Sequence, residues 1–127
     1  MAKKQPSYRP HFAILPAYKK TLDLDEQFTR STAKVPREIK YGRISKLRDI
    51  IMDILVQLAF ADMNESDRIR HIDTAQTLLN RLKVEVRILY DLKYIKDTGL
   101  DAIIREEGNL AAQLDGWRNS IQEKQHI

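Results

Sequence analysis

Residues 44–61, ISKLRDIIMDILVQLAFA, decide the fold. Ile44, Leu47, Ile51, Ile54, Leu58 and Ala61 recur three and four residues apart, a spacing that keeps one seam of an α-helix against a partner. Ile50 and Leu55 widen the seam into a face suited to a bundle core. A half-buried strand would alternate apolar and polar residues at every second position, and residues 44–61 show no such run. Their longest charge-free stretch, residues 54–61, is far shorter than the roughly 20 residues that span a bilayer.

Downstream, Ile72, Ala75, Leu79, Leu82, Val86 and Leu89 repeat the pattern, with Leu78, Ile88 and Leu92 alongside. Asn64, Glu65 and Ser66 break the two helices apart, and Ser66 suits an N-cap. Upstream, Pro16 suits a first helical turn. Tyr18, Leu22, Leu24, Phe28, Ser31 and Val35 form a ragged stripe that Pro36 ends, and Gly42 obscures where the second helix begins. Asp97, Thr98 and Gly99 close the third helix, with Gly99 suited to a left-handed cap. Thr98 and Asp101 resemble a capping box for a fourth helix, whose seam is Ile103, Glu107, Leu110, Leu114, Trp117 and Ile121. Glu107 is the one charge in that seam, and Trp117 is expected to fill core.

The predicted helices span residues 16–34, 38–63, 67–96 and 100–122. With short connections they give an all-α, up-down-up-down antiparallel four-helix bundle over residues 14–123. Residues 1–13 are expected to be a flexible basic arm and residues 124–127 a tail. The whole chain is 127 residues, 43% hydrophobic and 31% charged, which suits one folded domain and not a disordered tail. It has no cysteine, so a disulfide scaffold, a thiolate metal site and a catalytic cysteine are excluded. The N-terminal residues carry no apolar segment of the secretory type, and a cytoplasmic location is expected.

Lysine and arginine number 22 against 18 acids, a net charge of +4. Lys3, Lys4 and Arg9 supply +3 of it, so any basic patch on the folded part arises from segregation. In the expected topology one pole gathers Lys34, Arg37, Lys40, Arg43, Lys46, Arg48, Arg87, Lys93 and Lys96, against Glu38, Asp91 and Asp97. The opposite pole collects Asp53, Asp62, Glu65 and Asp67 against Arg68 and Arg70. Lys83, Arg87, Tyr90 and Tyr94, spaced four, three and four, read as one stripe away from the core seam. Tyr41 sits similarly among Arg37, Lys40 and Arg43. Cations neutralise phosphates and phenol rings stack on unpaired bases, so this is the mixture a nucleic-acid surface needs. The candidate nucleic-acid-binding residues are therefore Arg37, Lys40, Arg43, Lys83, Arg87, Tyr90, Tyr94 and Lys96. A plain solvated face, or a tyrosine-rich subunit contact, accounts for the same residues.

Enzymatic constellations are not evident. Glu123 and His126 match the Glu-x-x-His element of a bundle di-metal site once, at the C-terminus, without the second copy such a site requires. Asp67 and His71, one turn apart, read as a surface pair, as do Asp49 and Asp53. The four glycines are isolated, so there is no phosphate-cradling loop. Neither catalytic residues nor a metal or other cofactor are expected.

Between Leu15 and Ile121 the chain resembles the Avd proteins, the accessory variability determinants of diversity-generating retroelements. More distantly it resembles the small bundle proteins encoded in intervening sequences of bacterial 23S ribosomal RNA genes. The likeness is carried by Val35-Pro36-Arg37, by Tyr41-Gly42-Arg43-Ile44 with Leu47 and Ile51-Met52-Asp53-Ile54-Leu55, by Val86 through Lys93, and by Leu114-Asp115-Gly116-Trp117. Val35 stands where that family usually has an aromatic residue, and Asp115 where it has a glycine. The resemblance implies a homopentameric barrel that binds a reverse transcriptase and its structured template RNA, with DNA as an alternative ligand. Such a protein supports mutagenic cDNA synthesis without chemistry of its own. A bundle of the intervening-sequence type, or a protein-only oligomeric interaction module, is the alternative.

Overall fold

The computed structural model describes residues 11–125. They form a 3-10 turn at His11–Ile14 and four long helices, α1 (Pro16–Ser31), α2 (Ser45–Met63), α3 (Arg68–Asp91) and α4 (Asp97–Gln125). No strand occurs among the described residues. This is the composition of a four-helix bundle, and no helix is long and apolar enough to cross a membrane. Most of the expected arm, residues 1–10, lies outside the described residues, as do His126 and Ile127.

The helices pack through the seams that the periodicity marks. Leu47, Ile51, Ile54, Leu58 and Ala61 of α2 are fully or nearly fully buried, as are Ile72, Ala75, Leu79, Leu82, Val86 and Leu89 of α3. Burying one such leucine or isoleucine contributes about 1.5–3 kcal/mol. Helix α2 packs chiefly on α3 and α1 chiefly on α4, with α3 on α4 and α1 on α2 completing the set. Side chains pin these pairs. The Arg118 guanidinium donates to the Asp73 carboxylate at 2.7 Å, Gln76 donates to Asp115, and Arg48 meets Asp25 at 3.5 Å. Gly99 lets α4 approach α1 closely, because a Cβ there would stand 3.1 Å from the Ser31 Cβ and Oγ.

Several sequence expectations require correction. The buried face of α1 is Ala17, Thr21, Leu24 and Phe28, and Leu22 is 44% exposed. Thr21 escapes a search for apolar residues because it is polar, yet its hydroxyl donates to the Ala17 carbonyl at 2.8 Å and can be buried without an orphaned group. Leu92 and Ile88, expected to thicken the α3 seam, are exposed. Helix α1 ends at Ser31 instead of residue 34, where the Thr32 hydroxyl takes the Phe28 carbonyl. The break after α2 is capped from the other side. Arg68 donates to the Ala61 and Asp62 carbonyls at 2.8 and 3.0 Å, satisfying acceptors the helix end leaves open. Ser66 is not the N-cap of α3; Asp67 holds that position, without a side-chain cap bond.

Two junctions differ most. Before α2, Arg37–Ile39 forms one α-helical turn and Lys40–Ile44 a π-helical turn that runs straight into it. At about 100° per residue, an α-helix would turn Ile44 roughly 140° away from Ile39. The wider π turn lets half-buried Ile39 and buried Ile44 serve the same core. Helix α3 ends at Asp91 rather than residue 96, and Lys93, not Gly99, adopts the left-handed conformation with φ 68°. The Lys93 N–H donates to the Tyr90 carbonyl and the Tyr94 N–H to the Leu89 carbonyl, each at 2.9 Å, the two bonds of a Schellman cap. Helix α4 then starts at Asp97, so Thr98 and Gly99 lie inside its first turn and the expected capping box is not formed. A glycine at position 93 would meet the same geometry without Cβ strain, at some cost in unfolded-state entropy. Lys93→Gly is therefore expected to stabilise the fold by roughly 0.5–1 kcal/mol, read as a higher denaturant midpoint at unchanged m-value.

Candidate nucleic-acid interface

The end of α1 and the α3–α4 junction meet at one pole, around a hollow of about 530 Å³. Arg30, Lys34, Lys93 and Lys96 line it, with Val35, Pro36 and Tyr94 as its apolar wall, and no carboxylate lines it among the described residues. Arg30 is partly neutralised by Glu26, whose carboxylate accepts from its guanidinium at 2.5 Å. Lys34, Lys93 and Lys96 are exposed and make no ion pair among the described residues.

A second groove, of about 440 Å³, runs between α1 and the π turn. Lys40, Tyr41 and Arg48 line it, with Asp25 and Asp49 in the same wall. Here the charges are mixed, and Arg48 is held by Asp25. Tyr41 is 71% exposed, and the Arg37 guanidinium stands 5.5 Å from its ring centre, within cation–π range. Arg43 projects from the π turn as an exposed side chain.

The expected stripe Lys83, Arg87, Tyr90 and Tyr94 is not one stripe. Tyr94 lies beyond the end of α3, so helical spacing no longer governs where it points. Tyr90 and Tyr94 are half-buried and pack against the core. Arg87 covers the Tyr90 ring at 5.4 Å and also pairs with Asp91 at 3.1 Å. The Tyr90 hydroxyl donates to the Asp97 carboxylate at 2.6 Å, tying the end of α3 to the start of α4. That carboxylate raises the Tyr90 pKa above its ordinary value, through the hydrogen bond first and charge repulsion second. Lys83 sits mid-helix, where its charge is felt by Glu107 of α4. Of the eight candidate residues, Tyr94 and Lys96 line the hollow, Lys40 lines the groove, and Arg37 and Arg43 stand nearby on the lead-in to α2 and its π turn. Arg30, Lys34 and Lys93 complete the hollow without having been singled out as binding residues. Lys34 and Lys93 were legible as members of the basic pole. Arg30 carried no such signal, because the approach of residue 30 to residues 93–99 is set by packing.

Two other titratable positions depart from expectation. His71 does not pair with Asp67 on the surface; it is buried, its Nδ1 donates to Gln57 Oε1 at 2.7 Å, and its ring lies 5.6 Å from Phe60. Asp67 instead meets Arg70. Glu107 is 3% exposed in the seam of α4, and one of its carboxylate oxygens has no hydrogen-bond partner. Burial pushes its pKa up to about 7, with Lys83 acting weakly the other way. The two parts of the single Glu-x-x-His match do not come together as a described site: Glu123 is exposed and His126 lies outside the described residues. No cluster of three or more metal-ligating side chains occurs among the described residues. Trp117 is half-buried at the edge of the core, where it and Pro16 line a cavity of about 260 Å³.

Comparison of the chain with protein-family models and with curated proteins finds no match.

Proposed function

We propose that this chain is a non-catalytic nucleic-acid-binding accessory protein, an up-down-up-down bundle that assembles as a homopentameric barrel and partners a reverse transcriptase and its structured RNA in the cytoplasm. The observation that carries the reading is the acid-free basic hollow, with exposed, unpaired Lys34, Lys93 and Lys96 around it and exposed Arg37, Lys40 and Arg43 nearby. Cations gathered at one pole of a chain of modest net charge raise the local concentration of anionic partners there. Repetition around a symmetric ring would multiply a patch that is weak on one subunit. The resemblance to the Avd proteins supplies the polymerase partner and the subunit number, and the helix-end contacts of α1 with α4 and α3 with α4 support the topology.

A second reading is favoured by a different observation. Met52, Val56, Phe60 and Met63, spaced four, four and three along α2, are all exposed large apolar residues. An apolar stripe of this kind marks a protein contact. It serves the barrel in the first reading and is the whole function if the chain is a protein-only interaction module.

Light scattering coupled to size exclusion, with and without a structured RNA at two salt concentrations, separates them. The expected result is a mass near five subunits that shifts with RNA at low salt and returns at high salt, because each neutralised phosphate releases a counterion. An oligomer that ignores RNA at both salts leaves only the protein-only module, and a monomer that ignores RNA removes both.

A further inference from the structure

We propose that the basic hollow captures a single nucleoside phosphate, with the phosphate among Lys34, Lys93 and Lys96 and the base against Tyr94 and Pro36. The inference deepens the nucleic-acid reading, from which it takes the source of its ligand.

The hollow differs from the rest of the basic pole in shape and in lining. Its volume of about 530 Å³ falls in the range of small-molecule sites, large enough for one nucleotide and too confined for a duplex. A duplex needs an extended surface that follows its grooves, which exposed Arg37, Lys40 and Arg43 could offer and a cavity cannot. The wall combines the two chemistries that one nucleotide presents. Three lysines without ion pairs meet a dianionic phosphate, and Thr98 adds a hydroxyl donor. Val35, Pro36 and Tyr94 are apolar and suit a base face.

Tyr94 is the aromatic residue of the pole best prepared for stacking. The Schellman cap holds its backbone and the core holds its ring half-buried, so ordering it on a ligand costs little. Tyr90 is already occupied on its ring by Arg87 and at its hydroxyl by Asp97, and Tyr41 projects elsewhere, beside Arg37. Lys93 sits at the left-handed position where glycine would be unstrained, so the chain tolerates strain that keeps a cation at the rim.

The ligand can come from two sources, the phosphorylated end of a strand or a free nucleotide. The test uses the full chain with 5′-phosphorylated and 5′-hydroxyl pentauridine, and with uridine monophosphate as competitor, at about 0.15 M salt. The phosphorylated strand is expected to bind about tenfold tighter, and uridine monophosphate to displace it. Lys34→Ala with Lys96→Ala should erase that preference while leaving the circular dichroism and melting temperature unchanged, since both side chains are exposed. Displacement by the mononucleotide without a preference between strand ends would support the hollow with the free nucleotide as its source. Equal affinity for both strands, with no displacement, would overturn the inference and leave the nucleic-acid reading intact. Mononucleotide binding with no affinity for structured RNA would do the reverse, supporting the hollow and removing the RNA reading.

Discussion

Between pH 4.5 and pH 8 the wild-type chain is expected to lose about 3 kcal/mol of stability through Glu107, and Glu107→Gln is expected to remove that loss. The ordinary carboxyl value is 4.5, and burial raises Glu107 to about 7 in the folded chain. Below 4.5 the group is protonated in both folded and unfolded states and contributes no pH dependence. From 4.5 to 7 the unfolded chain releases the proton and the folded chain keeps it, so stability falls by about 1.4 kcal/mol per pH unit. Above 7 both states are ionised, and the full penalty of a buried carboxylate remains. Glutamine matches the size of the side chain and carries no titratable proton. Its own desolvation cost is the same at every pH, so the comparison isolates ionisation. Denaturant titrations at pH 5 and pH 8 on both chains measure it. If the wild type and the variant kept the same stability difference at both pH values, the ionised carboxylate would have to be partnered or solvated in the folded chain.

Reversing Arg37, Arg43 and Lys96 to glutamate together is expected to weaken RNA binding more than about a hundredfold at 0.1 M salt. The slope of log affinity against log salt should also fall by about two to three, from the lost phosphate neutralisations. All three side chains are exposed and make no ion pair among the described residues, so the fold and the scattering mass should be unchanged. Retention of helical content and scattering mass is therefore part of the expected result. Full affinity in this variant would remove the basic pole from the binding account.

The two variants probe parts of the protein that differed in how visible they were in the chain. The seam of α2 could be read in full, from Leu47 to Ala61, because each helix repeats its facing direction every three to four residues whatever it packs against. The same reasoning marked Glu107 as the charge in the α4 seam. The Lys83–Tyr94 stripe failed for the complementary reason. Helical spacing was extended five residues past Asp91, and the Lys93 cap turned the chain before Tyr94 was reached. A left-handed cap normally advertises itself as glycine, and here the residue is lysine, so the local signal was missing. Thr21 was overlooked because its burial depends on a hydroxyl bond to Ala17, which composition does not reveal.

The sequence by itself determined the all-helical class, the faces of α2 and α3 that are buried, and the excess of cations in the segments between helices. These follow from periodicity and composition, which are local. The tertiary structure alone decided that residues 30–36 meet residues 93–99 around one hollow, that Tyr90 is engaged by Arg87 and Asp97 while Tyr94 lines the hollow, and that His71 is buried against Gln57 and Phe60. Each of these depends on which helix ends come together, and residues some 60 positions apart in the chain carry no periodic signal that ties one to the other.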